Sequence, residues 1–124
     1  MDNLTLEATQ YTPKINLDAS GTISLEGKSY PENTFEFYAP VMKWLEEYFA
    51  NTPASITVVN MEIIYFNSSS SKLIFDFFDL LEENSGDNKI EINWIYDEEN
   101  ESAQEAGEDF IEDFEDLKIK LVTK

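Results

Sequence analysis

Strand-type and helix-type segments alternate along almost the whole sequence, and this alternation restricts the fold more than any other feature. Apolar residues recur at every second position in some segments and at helical spacing in the segments between them. The predicted order of elements is β-β-α-β-α-β-α-β. That order favours an α/β (α+β) fold in which one mixed β-sheet has about three helices packed against it. A chain of 124 residues has room for one such unit, so we expect a single domain over residues 1–124.

One predicted strand differs from the others in being apolar on both faces. Ile56–Phe66 is rich in Ile, Val and Tyr, which is typical of a central strand. Near the N-terminus, Thr22–Glu26 alternates apolar and polar residues, and Ala19–Gly21 predicts a hairpin turn that joins it to a strand at Lys14–Leu17. The remaining predicted strands are Lys89–Tyr96 and a last strand that alternates through Leu117, Ile119 and Leu121.

The first predicted helix has a clear apolar stripe and a proline inside it. Pro31 and Glu32 suit a first helical turn, whereas Asn51 and Pro53 indicate its end. Pro40 lies within the pattern and should kink the helix or split it into two. The residues of the stripe are Tyr38, Val41, Met42, Leu45, Tyr48 and Phe49.

The second helix is predicted over Lys72–Glu83, and a third, very acidic and poorly amphipathic, over Ser102–Phe114. In the second helix, Phe75 and Phe78 lie toward the edge of the buried arc. Most such aromatic residues belong to the core. An exposed Phe75 would be a natural anchor for a protein partner. The buried arc itself consists of Leu73, Ile74, Phe77, Leu80 and Leu81.

The composition argues against catalysis and against contact with polyanions. The chain has 26 acidic and 8 basic residues, a formal net charge of −18, and every basic residue is a lysine. Such a surface repels phosphate backbones and anionic lipids, so binding to nucleic acid or to a membrane is not expected. Histidine, cysteine and arginine, which supply the usual general base, nucleophile and phosphoryl clamp, are absent. We therefore expect a protein that is not an enzyme and needs no cofactor.

The expected location is the cytoplasm. The chain has no cysteine and no apolar run long enough to span a bilayer, and residues 1–10 lack the pattern of a signal peptide.

The acidic run Asp97–Glu101 offers carboxylates, which calcium and magnesium prefer as ligands. Its spacing does not match an EF-hand loop, and no glycine stands at the turning position. A solvated acidic face is therefore the favoured interpretation, and no metal site is predicted.

Four consecutive serines, Ser68–Ser71, follow Asn67 between the central strand and the second helix. The simpler interpretation is a helix cap, because Asn and Ser side chains accept hydrogen bonds from the free N–H groups of a first helical turn. Four serines exceed what one cap requires. The functional interpretation is a phosphoacceptor, because phosphorylation adds about −1.5 to −2 charges that a helix N-terminus can hold. Lys72 lies one turn on, and the new charge would obstruct a partner without a change of fold.

The segment Gly27–Asn33 is a second candidate. In the simpler interpretation it is a turn that leads into a helix, with glycine permitting an unusual backbone angle. Because loops at one end of a sheet often cluster, it could also border Ser68 and belong to a partner surface. The residues that it would contribute are Tyr30, Pro31, Glu32 and Asn33.

Five short segments occur in order over nearly the whole chain: Thr9–Pro13, Ser29–Asn33, Tyr65–Lys72, Trp94–Asp97 and Glu105–Phe110. Together they resemble the SiaC family of bacterial regulatory phosphoproteins. The resemblance implies a STAS-like fold, similar to that of anti-sigma-factor antagonists, and a role in partner switching.

The resemblance also implies how the switch would work. A dedicated Ser/Thr kinase phosphorylates the hydroxyl residue after the asparagine at the strand end, and a PP2C-like phosphatase removes the phosphate. The unmodified form binds and activates a GGDEF diguanylate cyclase, which links it to cyclic-di-GMP signalling and biofilm control. The acceptor position falls on Ser68, where the family pattern has threonine, and Ser69 and Ser70 are the alternates. The predicted partner surface comprises Asn67, Ser69, Lys72 and Phe75 together with Tyr30–Asn33.

Two other classes of function are alternatives to this one, and the net charge is the one feature that supports the first. An acidic nucleic-acid mimic or inhibitor could occupy a basic groove of a partner, and such binding would weaken steeply with salt and would not depend on Ser68. A carboxylate-dependent hydrolase needs two acidic residues with separated pKa values in a concave pocket. Surface charge runs do not supply that arrangement.

Overall fold

A mixed six-stranded β-sheet forms the frame of the protein. The computed structural model describes residues 1–51 and 53–124. The strands in these residues are β1 (Leu4–Leu6), β2 (Lys14–Asp18), β3 (Thr22–Ser29), β4 (Ile56–Phe66), β5 (Lys89–Tyr96) and β6 (Lys118–Thr123). The helices are α1 (Thr34–Ala50), α2 (Ser68–Asn84) and α3 (Glu101–Asp113).

The strands occupy the sheet in sequence order. β1, β2 and β3 are antiparallel to one another, whereas β3, β4, β5 and β6 are parallel. Each parallel connection steps in the same direction, so right-handed crossovers place the three helices on the same face of the sheet. The N-termini of the helices therefore lie at the end of the sheet that is formed by the C-terminal ends of the parallel strands. The predicted α/β fold, with one mixed sheet and about three helices, is confirmed, and β4 is a central strand as predicted.

The two faces of the sheet differ in composition, as alternation along β4 shows. Val59, Met61 and Ile63 point into the core and are at most 1 % exposed. On the open face, the side-chain amide of Asn93 on β5 donates a hydrogen bond to the amide oxygen of Asn60 on β4, at 2.9 Å. A row of polar side chains thus crosses the open face while apolar side chains fill the covered one.

The closest contact of a helix with the sheet is made by α3. A Cβ atom on Gly107 would lie 2.6 Å from the side chains of both Trp94 and Leu121, so the helix can approach only because this residue has no side chain. The indole N–H of Trp94 donates a hydrogen bond to the carbonyl oxygen of Ala103 at 2.8 Å. The inner face of α3 consists of the small residues Ala103 and Gly107 together with Phe110, and its outer face is acidic. The helix is therefore amphipathic, and the prediction that it is poorly amphipathic is wrong.

The N-terminal part of the sheet contains two features that the sequence did not predict. β1 adds a three-residue strand at the sheet edge, where it pairs with β2. β3 continues through Gly27 to Ser29, so the predicted connection at Gly27–Asn33 begins too early. Gly27 has a φ of +131° at a register irregularity of β3, and a Cβ there would lie 3.3 Å from the Cα of Pro13. Extended pairing therefore continues past a glycine that would suit a turn.

The first helix begins later than predicted. Asn33 is the N-cap of α1, and its side-chain oxygen accepts a hydrogen bond from the amide of Glu36 at 3.1 Å. Pro31 and Glu32 therefore precede the helix, and their predicted place in its first turn is wrong. Pro40 lies within one continuous helix, so the predicted alternative of two helices is also wrong.

The second helix begins four residues before the predicted Lys72, and the third begins one residue before the predicted Ser102. Asn67 caps α2 and Asn100 caps α3, each through its side-chain oxygen. Three asparagines thus start the three helices, because an amide oxygen can satisfy an N–H group of the first turn. Among residues 1–51 and 53–124, none of the helices has the length and hydropathy that a bilayer crossing requires.

Candidate functional site

Ser68 is the first residue of α2, and only the cap residue Asn67 separates it from the end of β4. Both Ser68 and Ser69 are exposed. The cap residue Asn67 accepts a hydrogen bond from the amide of Ser70 at 2.9 Å, and its carbonyl oxygen accepts one from the amide of Ser71 at 2.9 Å. The amides of Ser68 and Ser69 have no partner within the helix, because a first turn lacks a preceding turn to supply carbonyl oxygens. The site thus combines an accessible hydroxyl with two N–H groups at a helix N-terminus.

Ser70 has the opposite environment. It is 0 % exposed, and its Oγ accepts a hydrogen bond from the Oγ of Ser29, which is also 0 % exposed, at 2.8 Å. The hydroxyl of Tyr38 on α1 makes a further hydrogen bond with Ser29. A kinase cannot reach a hydroxyl that is sealed in this way, so the prediction of Ser70 as an alternate acceptor is wrong. Ser69 remains the exposed alternate.

The same buried hydroxyls govern the ionisation of Tyr38. Burial raises the pKa of the Tyr38 phenol above its ordinary value, although the hydrogen bond with Ser29 acts in the opposite direction. The phenol is therefore neutral at physiological pH, and it helps to join α1, β3 and α2.

The predicted neighbourhood of the segment Gly27–Asn33 and the serines is confirmed by the contacts of Ser29. The amide of Asn67 donates a hydrogen bond to the carbonyl oxygen of Ser29 at 3.1 Å, in addition to the bond between Ser29 and Ser70. Glu32 and Asn33 are exposed and Tyr30 is half-buried, so these three can take part in a surface. Pro31 is buried, so its predicted place in the partner surface is wrong.

Lys72 and Phe75 continue the exposed side of α2 beyond Ser68. Spacings of four and three residues place the three side chains on one helix face. Lys72 is exposed, and Phe75 is 44 % exposed with its ring centroid 4.8 Å from that of Phe114. The core interpretation is therefore wrong for Phe75, whereas Phe78, at 0 % exposure, does belong to the core. The first turn of α2 contains no acidic residue.

The acidic run at Asp97–Glu101 forms the approach to α3. A carboxylate oxygen of Asp97 accepts a hydrogen bond from the amide of Glu99 at 2.9 Å, and Asp97, Glu98 and Glu99 are exposed. In the described part of the chain, no group of three or more acidic side chains is arranged to hold a metal ion.

Sequence reasoning missed three exposed aromatic residues near this edge of the sheet. Tyr11 is 52 % exposed, Tyr65 is 53 % exposed, and Phe35 in the first turn of α1 is 73 % exposed. The ring of Tyr30 lies between the two tyrosines, with centroid distances of 5.4 Å to Tyr11 and 5.7 Å to Tyr65. The pairing of β3 with β4 brings Tyr65 close to Tyr30, because Tyr65 lies opposite Lys28 in that pairing. A single sequence does not specify that register.

The model of a protein family described as "SiaC family regulatory phosphoprotein" matches residues 6–124 of this chain. The chain belongs to the SiaC family. This membership confirms the resemblance that the five short segments indicated, and it makes the protein a member of a family of bacterial signalling phosphoproteins.

Solved structures of SiaC from Pseudomonas aeruginosa have the same fold. The structure of apo-SiaC is 34 % identical, covers 98 % of this chain and 99 % of its own, and gives a TM-score of 0.90. SiaC in complex with the diguanylate cyclase SiaD, of which it is the activator, is also 34 % identical over 98 % of this chain and 99 % of its own, with a TM-score of 0.91. An uncharacterized protein of Pseudomonas aeruginosa strain UCBPP-PA14 is 37 % identical over 115 residues, which is 91 % of this chain and 90 % of that protein.

Proposed function

We propose that this SiaC-family chain is a phosphorylation-switched binding protein without catalytic activity of its own. Its unmodified form binds and activates a GGDEF diguanylate cyclase in the cytoplasm, with cyclic-di-GMP signalling and biofilm control as the output. A cognate Ser/Thr kinase phosphorylates Ser68, and a PP2C-like phosphatase restores the hydroxyl. The partners are proteins, and neither nucleic acid nor a membrane is bound.

The observation that carries this proposal is the contrast between Ser68 and Ser70 on the same helical turn. Ser68 is exposed, whereas Ser70 is buried and hydrogen-bonded to Ser29. A phosphate on Ser68 would therefore add charge to the surface while the buried anchor of the turn stays intact. The cyclase as a partner is supported by the complex of Pseudomonas SiaC with SiaD.

The surroundings of Ser68 favour a dianion. Two free amides and the positive end of the α2 dipole face the position that a phosphate would occupy. The first turn of α2 has no carboxylate to repel it, and Lys72 lies one turn on. These features let the domain carry phosphate without loss of stability.

A phosphate at this position would interfere with docking through the adjacent helix face. A partner that covers Phe75 must also desolvate the surface around Lys72 and Ser68. A doubly charged group there is costly to bury and repels any carboxylate of the partner. Binding is therefore expected to weaken when Ser68 is modified.

The test compares Ser68→Ala, Ser68→Asp and Ser102→Asp for capture of the GGDEF cyclase of the same organism. Ser102 is an exposed serine in the first turn of α3, so Ser102→Asp adds the same charge to a matched position elsewhere. We expect Ser68→Asp to weaken capture by at least about tenfold, which corresponds to about 1.4 kcal/mol. Ser68→Ala and Ser102→Asp should bind like the natural protein.

Equal capture by Ser68→Ala and Ser68→Asp would refute the switch at this residue. Ser69→Asp, measured in parallel, decides between the two exposed serines. The alternative of an acidic mimic predicts capture that ignores all these variants and falls steeply between low and high salt. Mass spectrometry of the natively expressed protein identifies the modified serine directly.

A further inference from the structure

A pocket of about 360 Å³ opens beside the end of β3 and is lined by Tyr11, Tyr30 and Glu32. The rings of Tyr11 and Tyr30 meet edge to face at an interplanar angle of 87°. Tyr65 extends the aromatic cluster on the other side of Tyr30. Two aromatic rings and one carboxylate thus share a single small cavity at the surface.

The pocket is held in shape by its own backbone. The hydroxyl of Thr9 accepts hydrogen bonds from the amides of Tyr11, at 3.1 Å, and Thr12, at 3.0 Å, which closes a tight turn. The amide of Tyr30 then donates a hydrogen bond to the carbonyl oxygen of Tyr11 at 2.8 Å. A pocket that is already formed has little conformational entropy to lose when a ligand binds.

The carboxylate in the pocket has no cation of its own. Among residues 1–51 and 53–124, the one ion pair joins Lys124 to Glu62, so Glu32 is exposed without a lysine against it. The whole chain carries a net charge of −18 and contains no arginine. Both the local carboxylate and the overall field therefore attract a positively charged group.

We propose that this pocket binds a basic side chain of a protein partner, an arginine foremost. An aromatic ring attracts a cation that lies over its face, and a carboxylate beside it can accept the N–H groups of the same guanidinium. Arginine suits the site better than lysine because its planar group is weakly hydrated and stacks on rings. This inference takes from the proposed function only that the partner is a protein. It adds the chemistry of one contact with that partner.

The chain alone provides the first test. N-acetyl-arginine amide is titrated into the labelled protein and followed by NMR, with N-acetyl-citrulline amide as the neutral probe of the same shape. We expect saturable shifts of the Tyr11 and Tyr30 ring signals with the arginine probe and little change with citrulline. Tyr11→Ala and Glu32→Gln should each weaken the binding about fivefold.

Glu83→Gln is the matched control, because it removes the same charge from an exposed position outside the pocket, near the C-terminal end of α2. It should leave the titration unchanged. Three results would overturn the proposal: equal shifts with citrulline, equal weakening by Glu83→Gln, or shifts scattered over the acidic surface. The first would indicate a pocket that does not recognise the positive charge, and the others would indicate attraction to the net charge alone.

Capture of the cyclase separates this proposal from the proposed function. If Ser68→Asp abolishes capture while Tyr11→Ala and Glu32→Gln bind normally, the pocket is not used by that partner, and the inference fails while the switch stands. If the pocket variants weaken capture and Ser68→Asp does not, the pocket is supported and the switch at Ser68 fails.

Discussion

Ser29 and Ser70 share a hydrogen bond of 2.8 Å between their side-chain oxygens, although 41 positions separate them in the sequence. Ser29 ends β3, and Ser70 belongs to the first turn of α2. Both are 0 % exposed. The amide of Asn67 adds a second link to Ser29 through the carbonyl oxygen of that residue. The buried side of the first turn of α2 is therefore fixed to the end of β3, and Ser68 lies on the exposed side of that turn.

The anchor should show energetic coupling. We expect Ser29→Ala and Ser70→Ala each to lower the free energy of unfolding by about 1–2 kcal/mol, because each removes the buried hydrogen bond between the two hydroxyls. The double variant should lose less than the sum of the two. Urea unfolding measures all three, with exposed Ser69→Ala as a control that changes stability by less than about 0.5 kcal/mol. Strictly additive losses would show that the two hydroxyls do not interact.

In the first turn of α2, a negative charge should be tolerated at position 68 and should not be tolerated at position 70. Ser68→Asp places a carboxylate at a helix N-terminus and should leave stability unchanged or raise it by up to about 1 kcal/mol. Ser70→Asp must bury a carboxylate among hydroxyls and should cost roughly 3 kcal/mol or more. Circular dichroism and urea unfolding distinguish the two variants. A Ser68→Asp protein that unfolds would show that this position cannot carry a phosphate either.

Stability at alkaline pH should depend on Tyr38. Burial raises the pKa of the folded-state phenol above its ordinary value of 10.0, so the folded protein holds this proton more tightly than the unfolded chain. The resulting stability is present below about pH 10 and is lost as pH rises through that value toward the raised pKa. Tyr38→Phe lacks this titration, so the stability advantage of the natural protein over Tyr38→Phe should shrink as the pH rises through about 10 and above. A difference that stays constant over this rise in pH would contradict the assignment.

Gly107 should be intolerant of a methyl group, although alanine is the better helix former. A Cβ at this position meets Trp94 and Leu121 at 2.6 Å. We expect Gly107→Ala to lower the free energy of unfolding by about 1–3 kcal/mol, more than the gain of about 1 kcal/mol in helix propensity. Gly86→Ala is the control, because no heavy atom lies within 4 Å of the added Cβ. Equal effects of the two substitutions would mean that α3 can move away from the sheet.

Much of the fold could be predicted because its elements carry strong local periodicity. β4 is rich in apolar residues, β5 alternates apolar and polar residues, and the sequences of α1 and α2 have recognisable apolar stripes. β1 could not be predicted, because three residues carry too little pattern and the strand exists only through its pairing with β2. The start of α2 was misplaced because serines suit both a loop and a capped first turn, and Asn67 decides between them through a hydrogen bond.

The candidate site was predictable where it is local and not where it depends on contacts between distant segments. Asn67 and Ser68 follow from the order of strand, cap and helix. The burial of Ser70 does not, because it depends on Ser29 and Tyr38 reaching the same point from β3 and α1. The aromatic pocket of Tyr11 and Tyr30 likewise depends on how the turn before β2 folds back over the end of β3.

The helices cover only one face of the sheet, and this one-sidedness has a consequence for how such proteins can diverge. Residues such as Asn60 and Asn93 point away from the core and contribute little apolar burial. Mutations on the open face leave unchanged the side chains of each strand that pack in the core. Substitutions can therefore accumulate on the open face during evolution and change its charge and shape. Binding partners can be gained or lost in this way while the fold stays the same.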